Sequence, residues 1–211
     1  MAGSMSRPIP VIGAGLAGSE AALQLADAGF PVRLYEMRPV QPTAAHQTHH
    51  CAELVCSNSL GSKLPDRAGG CLQAELRALD CKLLPVAEAC SVPAGQALAV
   101  DRDQFGAHVT AVIEAHPRVE LVREEVQAIP REGVCVVATG PLTSEALAAD
   151  IQSLAGQDQL AFFDAIAPVV HGDSLDRSIV FAASRWGKGT ADYLNVPLNE
   201  EEYERFVDAL L

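Results

Sequence analysis

The stretch Val11 to Glu20, VIGAGLAGSE, constrains the fold more than any other part of the chain. Gly13, Gly15 and Gly18 stand in the order G-x-G-x-x-G, after the apolar run Pro8 to Ile12 and before the small-residue segment Ser19 to Ala28, which stops at Gly29. The run reads as a buried strand, the segment as a helix, and Pro31 to Tyr35 as a second strand. A parallel strand pair needs a crossover, and helices must then cover the sheet, so this opening predicts a doubly wound, Rossmann-like α/β fold. In such a turn the first glycine bends the chain, the second lets backbone approach a pyrophosphate, and the third permits close helix-to-strand packing. Ala14, Leu16 and Ala17 complete a turn whose helix N-terminus faces the phosphates. Glu36 lies 23 positions after Gly13, where a carboxylate accepts hydrogen bonds from ribose hydroxyls. Its charge repels a 2′-phosphate, which disfavours NADP at this site. The pattern leaves NAD and FAD open; Ala138-Thr139-Gly140, closing a later apolar strand, tilts the choice to FAD.

The rest of the chain continues the α/β alternation. Helices are expected near Gly70 to Leu79, at Asp103 to Ala115 with Asp101 or Asp103 at its start, and at about Ser144 to Leu154. Strands are expected at Val119 to Val122, Val134 to Ala138 and Leu160 to Phe163, whereas His46 to about Leu64 reads as irregular. The texture changes at Pro168 to Asp173, which places a boundary between a domain of residues 1–169 and the beginning of a second α/β domain at 170–211. In the last segment Asn199 precedes Glu200, Glu201 and Glu202, as an N-cap precedes acidic first-turn residues. Tyr203, Phe206, Val207 and Leu210 then fall on one helical face. No residue closes this helix, so the chain is expected to stop inside the second domain.

The longest apolar run, Val134 to Ala138, is far shorter than the roughly 20 residues that cross a bilayer, and no apolar leader follows the N-terminus. A cytoplasmic protein with no membrane partner is expected. Six scattered cysteines then suggest reduced thiols rather than a disulfide framework. The net charge of -12 argues against a broad nucleic-acid-binding face, because phosphate affinity comes mostly from clustered Lys and Arg.

The segments VIGAGLAGSEAA, LYEMRPV, AELVCSNSL, SVPAGQALAVDR, ATGPLTSE and SRWGKGTADYLN follow one another in an order and spacing that resembles the folate- and FAD-dependent tRNA uracil-5-methyltransferases, the Gid-type flavoproteins. The likeness spans about residues 8 to 211. It implies a glutathione-reductase-like FAD-binding domain interrupted by an inserted substrate domain. It also implies an enzyme that takes a methylene group from methylenetetrahydrofolate and electrons from reduced FAD, recharged by NAD(P)H, to convert a T-loop uridine of tRNA to 5-methyluridine. Arg38 and Val126 join Gly13, Ala14, Gly15, Leu16, Ala17, Gly18, Glu36, Ala138, Thr139 and Gly140 as expected cofactor-binding residues. Two cysteines act on uracil in this family, and Glu53-Leu54-Val55-Cys56-Ser57-Asn58-Ser59 matches the motif of one, so Cys56 inherits the catalytic role. Nothing in these 211 residues matches the second thiol. The family pattern often has an aromatic residue where Cys51 stands and a cysteine where Val196 stands.

Alternatives remain at this stage: another FAD or NAD oxidoreductase of the same fold, or a non-catalytic nucleotide-binding fragment. His46, His49, His50, Cys51 and Cys56 carry zinc-ligating atoms, yet their spacing matches no structural module and no metal is expected. His46 with Thr48 orders the loop or touches cofactor. Cys71, Cys81, Cys90 and Cys135 read as small core residues. Gly187-Lys188-Gly189-Thr190 lacks the earlier glycine of a phosphate loop, and Arg185 and Lys188 are either folate or RNA contacts or ordinary surface charge.

Overall fold

The computed structural model describes residues 7–156, 170–184, 187 and 190–210. Two compact units divide the chain: Met1–Val92 with Leu98–Ala167, and Pro93–Ala97 with Pro168–Leu211. The expected strand at Leu160 to Phe163 and the side chains of Arg185 and Lys188 lie outside the described residues.

In the first unit, β1 (Ile9–Ile12), α1 (Leu16–Asp27) and β2 (Val32–Tyr35) form the expected crossover. After a long excursion the chain adds β6 (Val119–Val122) beside β2, then returns to the far side of β1 as β7 (Val136–Val137). The sheet order is therefore β6-β2-β1-β7, with all three pairings parallel. Val11, Val32 and Leu34 are buried in one cluster with Ala22, Leu23 and Ala26 of α1 and with Phe105, Val109 and Ile113 of α4 (Arg102–Ala115). These α4 residues recur every four positions, which puts them on one helical face. Of the two candidates Asp101 and Asp103, Asp101 caps α4, its carboxylate accepting from the Gln104 amide at 3.0 Å.

The excursion holds α2 (Ala68–Ala78), α3 (Leu83–Ala89) and a second sheet of β3 (Ser59–Ser62), β5 (Ala97–Val100) and β4 (Ser91–Val92), in the order β3-β5-β4. The expectation of an irregular His46 to Leu64 is corrected at its end, because Ser59 to Ser62 form a strand. Ser-Leu-Gly-Ser has little strand propensity, and its place beside β5 comes from the tertiary partner. A second correction concerns α1, which begins at Leu16 and not at Ser19, so Gly18 lies inside the helix. α5 (Glu145–Ala155) ends at Gly156 in a left-handed conformation.

The second unit contains the antiparallel pair β8 (Phe181–Ala183) and β9 (Tyr193–Asn195), and α6 (Glu200–Leu210). Pro93–Ala97 belongs to it: the Tyr193 hydroxyl donates to the Ala94 carbonyl at 2.7 Å, and the Gly95 amide donates to Asp192 Oδ2 at 2.6 Å. At α6 the expected cap forms reciprocally, with the Glu202 amide donating to Asn199 Oδ1 and the Asn199 amide to Glu202 Oε2. No helix among the described residues is long and apolar enough to cross a membrane.

Candidate functional site

The strand order reverses at β1, since the chain leaves it toward β2 on one side and comes back to β7 on the other. In open α/β sheets a crevice opens at such a point, outside the carboxyl ends of the strands. A cleft is found there, and Gly13, Gly15, Glu36, Arg38, Val126 and Thr139 line it together with His46, Thr143, Ser144 and Leu147. Six of the twelve expected cofactor residues therefore converge on one cavity.

Each glycine has a distinct part in building it. Gly13 has φ +95°, and a Cβ there would meet the Ala138 carbonyl oxygen at 2.7 Å, so only glycine lets the ends of β1 and β7 approach this closely. At Gly18 a Cβ would stand 1.7 Å from the Gly13 carbonyl oxygen, which makes this glycine a packing residue between α1 and the end of β1. Around Gly15 there is nothing within 4 Å of a built Cβ. Gly15 is also the N-cap of α1, which has no side-chain cap, so the donors of its first turn are left for another partner. Leu16 and Ala17 have exposed side chains on that turn, while Ala14 and Gly18 are buried, Ala138 is half-buried, and none of the three lines the cleft. Gly140, with φ +63°, opens the turn that carries Thr143. The Thr139 and Thr143 hydroxyls hydrogen bond at 2.6 Å.

Glu36 follows directly on β2 and is almost fully buried, and its carboxylate serves the protein first. One oxygen accepts from the Arg38 amide (3.1 Å) and Arg38 Nε (2.8 Å), and the other from the Ala14 amide (3.2 Å). Burial by itself raises this carboxyl, but the Arg38 guanidinium and the two amides outweigh it and hold it below the usual carboxylate range. Two oxygens offer about four acceptor positions, so about one remains for a ligand hydroxyl. Arg38 is equally engaged: Nη1 donates to Glu53 Oε2 at 2.7 Å and to the Thr48 carbonyl, and Nη2 to the His50 carbonyl. The buried cluster thus carries two carboxylates against one guanidinium, and with Glu124 and Glu125 at the rim the cleft stays unfavourable to an extra phosphate on the ribose.

Cys56 does not line this cleft. It is exposed, on the segment leading into β3, where the Asn58 carbonyl accepts from the Val100 amide at 2.9 Å. Cys51 is completely buried; burial pushes its thiol up, and its amide donates to Thr110 Oγ1 at 2.9 Å. The four cysteines expected in the core divide: Cys90 is buried, Cys81 and Cys135 are half-buried, and Cys71 is exposed on α2, which corrects the expectation for it. A small apolar side chain signals burial only on average, and Cys71 falls on the outer face of its helix. Among the described residues no three His, Cys, Asp or Glu side chains are placed to hold a metal ion. His46 Nδ1 lies 2.6 Å from Thr43 Oγ1, within hydrogen-bonding distance. Glu53 and Ala52, which the sequence argument did not single out as site residues, hold the loop around the cleft. The only available signal for Glu53 was its place in the AELVC motif.

Residues 8–211 match the family model described as glucose inhibited division protein A. A curated relative from Bacillus licheniformis, methylenetetrahydrofolate--tRNA-(uracil-5-)-methyltransferase TrmFO, is 56% identical over 207 residues, covering 98% of this chain and 48% of its own length. Proteins of the same name from Desulfitobacterium hafniense and Bacillus subtilis are 55% and 56% identical, with 46% of their lengths covered in each case. The chain thus spans about half the length of the curated relatives it matches. Among solved structures, GidA of Aquifex aeolicus superposes with a TM-score of 0.50 at 21% identity, over 64% of this chain and 25% of that one, which supports the fold alone. With the family model matched from the first strand to the last residue, this chain belongs to the glucose inhibited division protein A family.

Proposed function

We propose that the chain is the N-terminal, FAD-binding part of a methylenetetrahydrofolate-dependent tRNA uracil-5-methyltransferase, with residues 1–169 forming the flavin domain and 170–211 beginning the inserted substrate domain. The observation that carries this is the identity of about 55% to relatives of that name along nearly the whole chain, joined to a dinucleotide cleft at the sheet's switch point. Whole-protein partners follow from the same proposal: tRNA, folate and NAD(P)H, in the cytoplasm.

The residues present fit an FAD. The open face of Gly15 and the uncapped start of α1 suit a pyrophosphate, the remaining acceptor of Glu36 suits one ribose hydroxyl, and Val126, Thr139 and Thr143 line the continuing cleft. When bound and reduced, the flavin supplies the electrons that take a transferred methylene to a methyl group. The chain's own chemical contribution is a thiol. Carbon 5 of uracil becomes nucleophilic when a thiolate adds to carbon 6, opening the double bond to give an enolate that attacks the methylene. A second group must then remove the proton from carbon 5. Cys56 is assigned to this pair, as the acid/base partner rather than the attacking thiol. Its exposure lets it reach a base presented by a macromolecular substrate, which a thiol inside the nucleotide cleft could not.

Two measurements test the proposal. A full-length protein carrying Cys56→Ala is expected to retain bound flavin, seen in its absorption spectrum, and to lose 5-methyluridine formation in the T-loop. Undiminished methylation removes Cys56 from the chemistry, and failure of the full-length protein to bind FAD overturns the cofactor assignment.

A further inference from the structure

The loop between the glycine turn and Cys56 is fastened by groups that no dinucleotide fingerprint contains. Ala52 has φ +53°, a left-handed conformation that costs a residue with a Cβ, and its amide donates to the Ala14 carbonyl at 2.8 Å. Ser19 Oγ donates to the same carbonyl at 3.1 Å, and the Ala14 amide donates to Glu36. The middle of the glycine turn is therefore clamped from one side by the acid of the cleft and from the other by the loop. Arg38 closes the circuit, with Nε on Glu36 and Nη1 on Glu53, in a cluster whose three side chains are all less than a tenth exposed. Glu53 distributes the connection along the loop. One oxygen accepts from the amides of Gln47 (2.7 Å) and Thr48 (3.3 Å); the oxygen facing Arg38 accepts from the Thr48 amide (3.2 Å) and hydroxyl (2.8 Å). Cys56 lies three residues further on.

We infer that Glu53 is a positioning residue that locks the loop from Gln47 to Cys56 onto the glycine turn, through Arg38 and Ala14, so that nucleotide binding and order at the Cys56 segment reinforce each other. The inference rests on the dinucleotide assignment of the cleft. A buried charge cluster suits the task because Arg38 bridges the two carboxylates, so removing the Glu53 charge takes away the partner of Nη1 in a buried site and cuts the bridge from the loop to Glu36 and the turn. Coupling of this kind is reciprocal: whatever order the ligand imposes on the loop, loss of the loop's anchor must return as lost affinity.

The test is amide hydrogen exchange on the full chain, read by NMR with ADP as the probe, for wild type and Glu53→Gln. In the wild type, ADP slows exchange at Ala14 and also at Thr48 and Ala52. In Glu53→Gln, protection falls about tenfold at Thr48, Ala52 and Ala14 alike, ADP no longer protects the loop, and its affinity drops by about the same factor. Amides of Phe105 to Ile113 in α4 keep their wild-type rates, which separates loss of the connection from general loosening. Should Glu53→Gln fail to fold, Thr48→Val removes one donor to Glu53 and shows the same pattern at smaller amplitude. Faster exchange confined to Gln47 and Thr48, with Ala52 and Ala14 unchanged, overturns the inference whatever ADP does. If ADP protects nothing in the wild type while the substitution still frees Ala14, the dinucleotide assignment fails and the mechanical connection stands.

Discussion

Gly18→Ala is the sharpest probe of how the fingerprint works, because two effects of known size oppose each other there. Gly18 lies within α1, where replacing glycine by alanine ordinarily stabilises by about 1 kcal/mol. The added Cβ, however, would stand 1.7 Å from the Gly13 carbonyl oxygen, and ordinary contact begins at 3.4 Å, so helix and strand end must part by about 1.7 Å. Neither side yields easily. The obstructing atom is backbone, and Gly13 is pinned by its amide to Tyr35 (2.9 Å) and by its own approach to Ala138. The helix carries Ala22, Leu23 and Ala26 into the core at 0 to 2% exposure, so its retreat opens space under all three. Overpacking costs about 1–3 kcal/mol and the loosened contacts add to it, which leaves a net loss of about 2 kcal/mol after the helix gain. Urea unfolding followed by circular dichroism measures this as a fall in midpoint at unchanged slope. Gly15→Ala is the control: its Cβ meets nothing, so stability changes by less than about 1 kcal/mol while ADP affinity falls, since the cleft wall has grown by a methyl group. A Gly18→Ala protein as stable as the wild type refutes the assignment of that glycine to packing.

Two further outcomes follow from groups outside the cleft. Glu20, on α1, accepts from the amides of Lys82 and Leu83 and from the Cys81 thiol, and so caps α3 from a neighbouring helix. Burial alone raises its carboxyl, yet these donors and Gln24 hold it below its ordinary 4.5. A depressed folded value contributes stability above the unfolded value that is lost as pH falls through the folded one, so Glu20→Gln lowers stability at pH 7 and flattens its decline below about pH 4.5; urea midpoints between pH 3 and 7 that decline in parallel for both proteins refute this. Iodoacetamide under native conditions modifies Cys56 and Cys71 first, as read by peptide mass spectrometry, and leaves Cys51 and Cys90 intact until the protein unfolds. Early modification of Cys51 would mean that its loop opens far more readily than its anchors allow.

Local order determined much of this protein. Three glycines between an apolar run and a small-residue helix admit few geometries, and from them the parallel crossover, the turn and the approach of Glu36 to it were legible without coordinates. So were the cap of α6 and, as one of two candidates, that of α4, because Asn199 and Asp101 bond to amides three residues away and need nothing distant. What only the tertiary structure decided depends on partners far apart in the chain. Ser59 to Ser62 become a strand because β5 lies beside them. Glu36 spends most of its acceptors on Arg38 and Ala14, and Glu53 reaches back across the loop to the same guanidinium. Periodicity and spacing report what neighbours along the chain can do, whereas burial of a charge and the hydrogen bonds that compensate it are set by which segments meet in space.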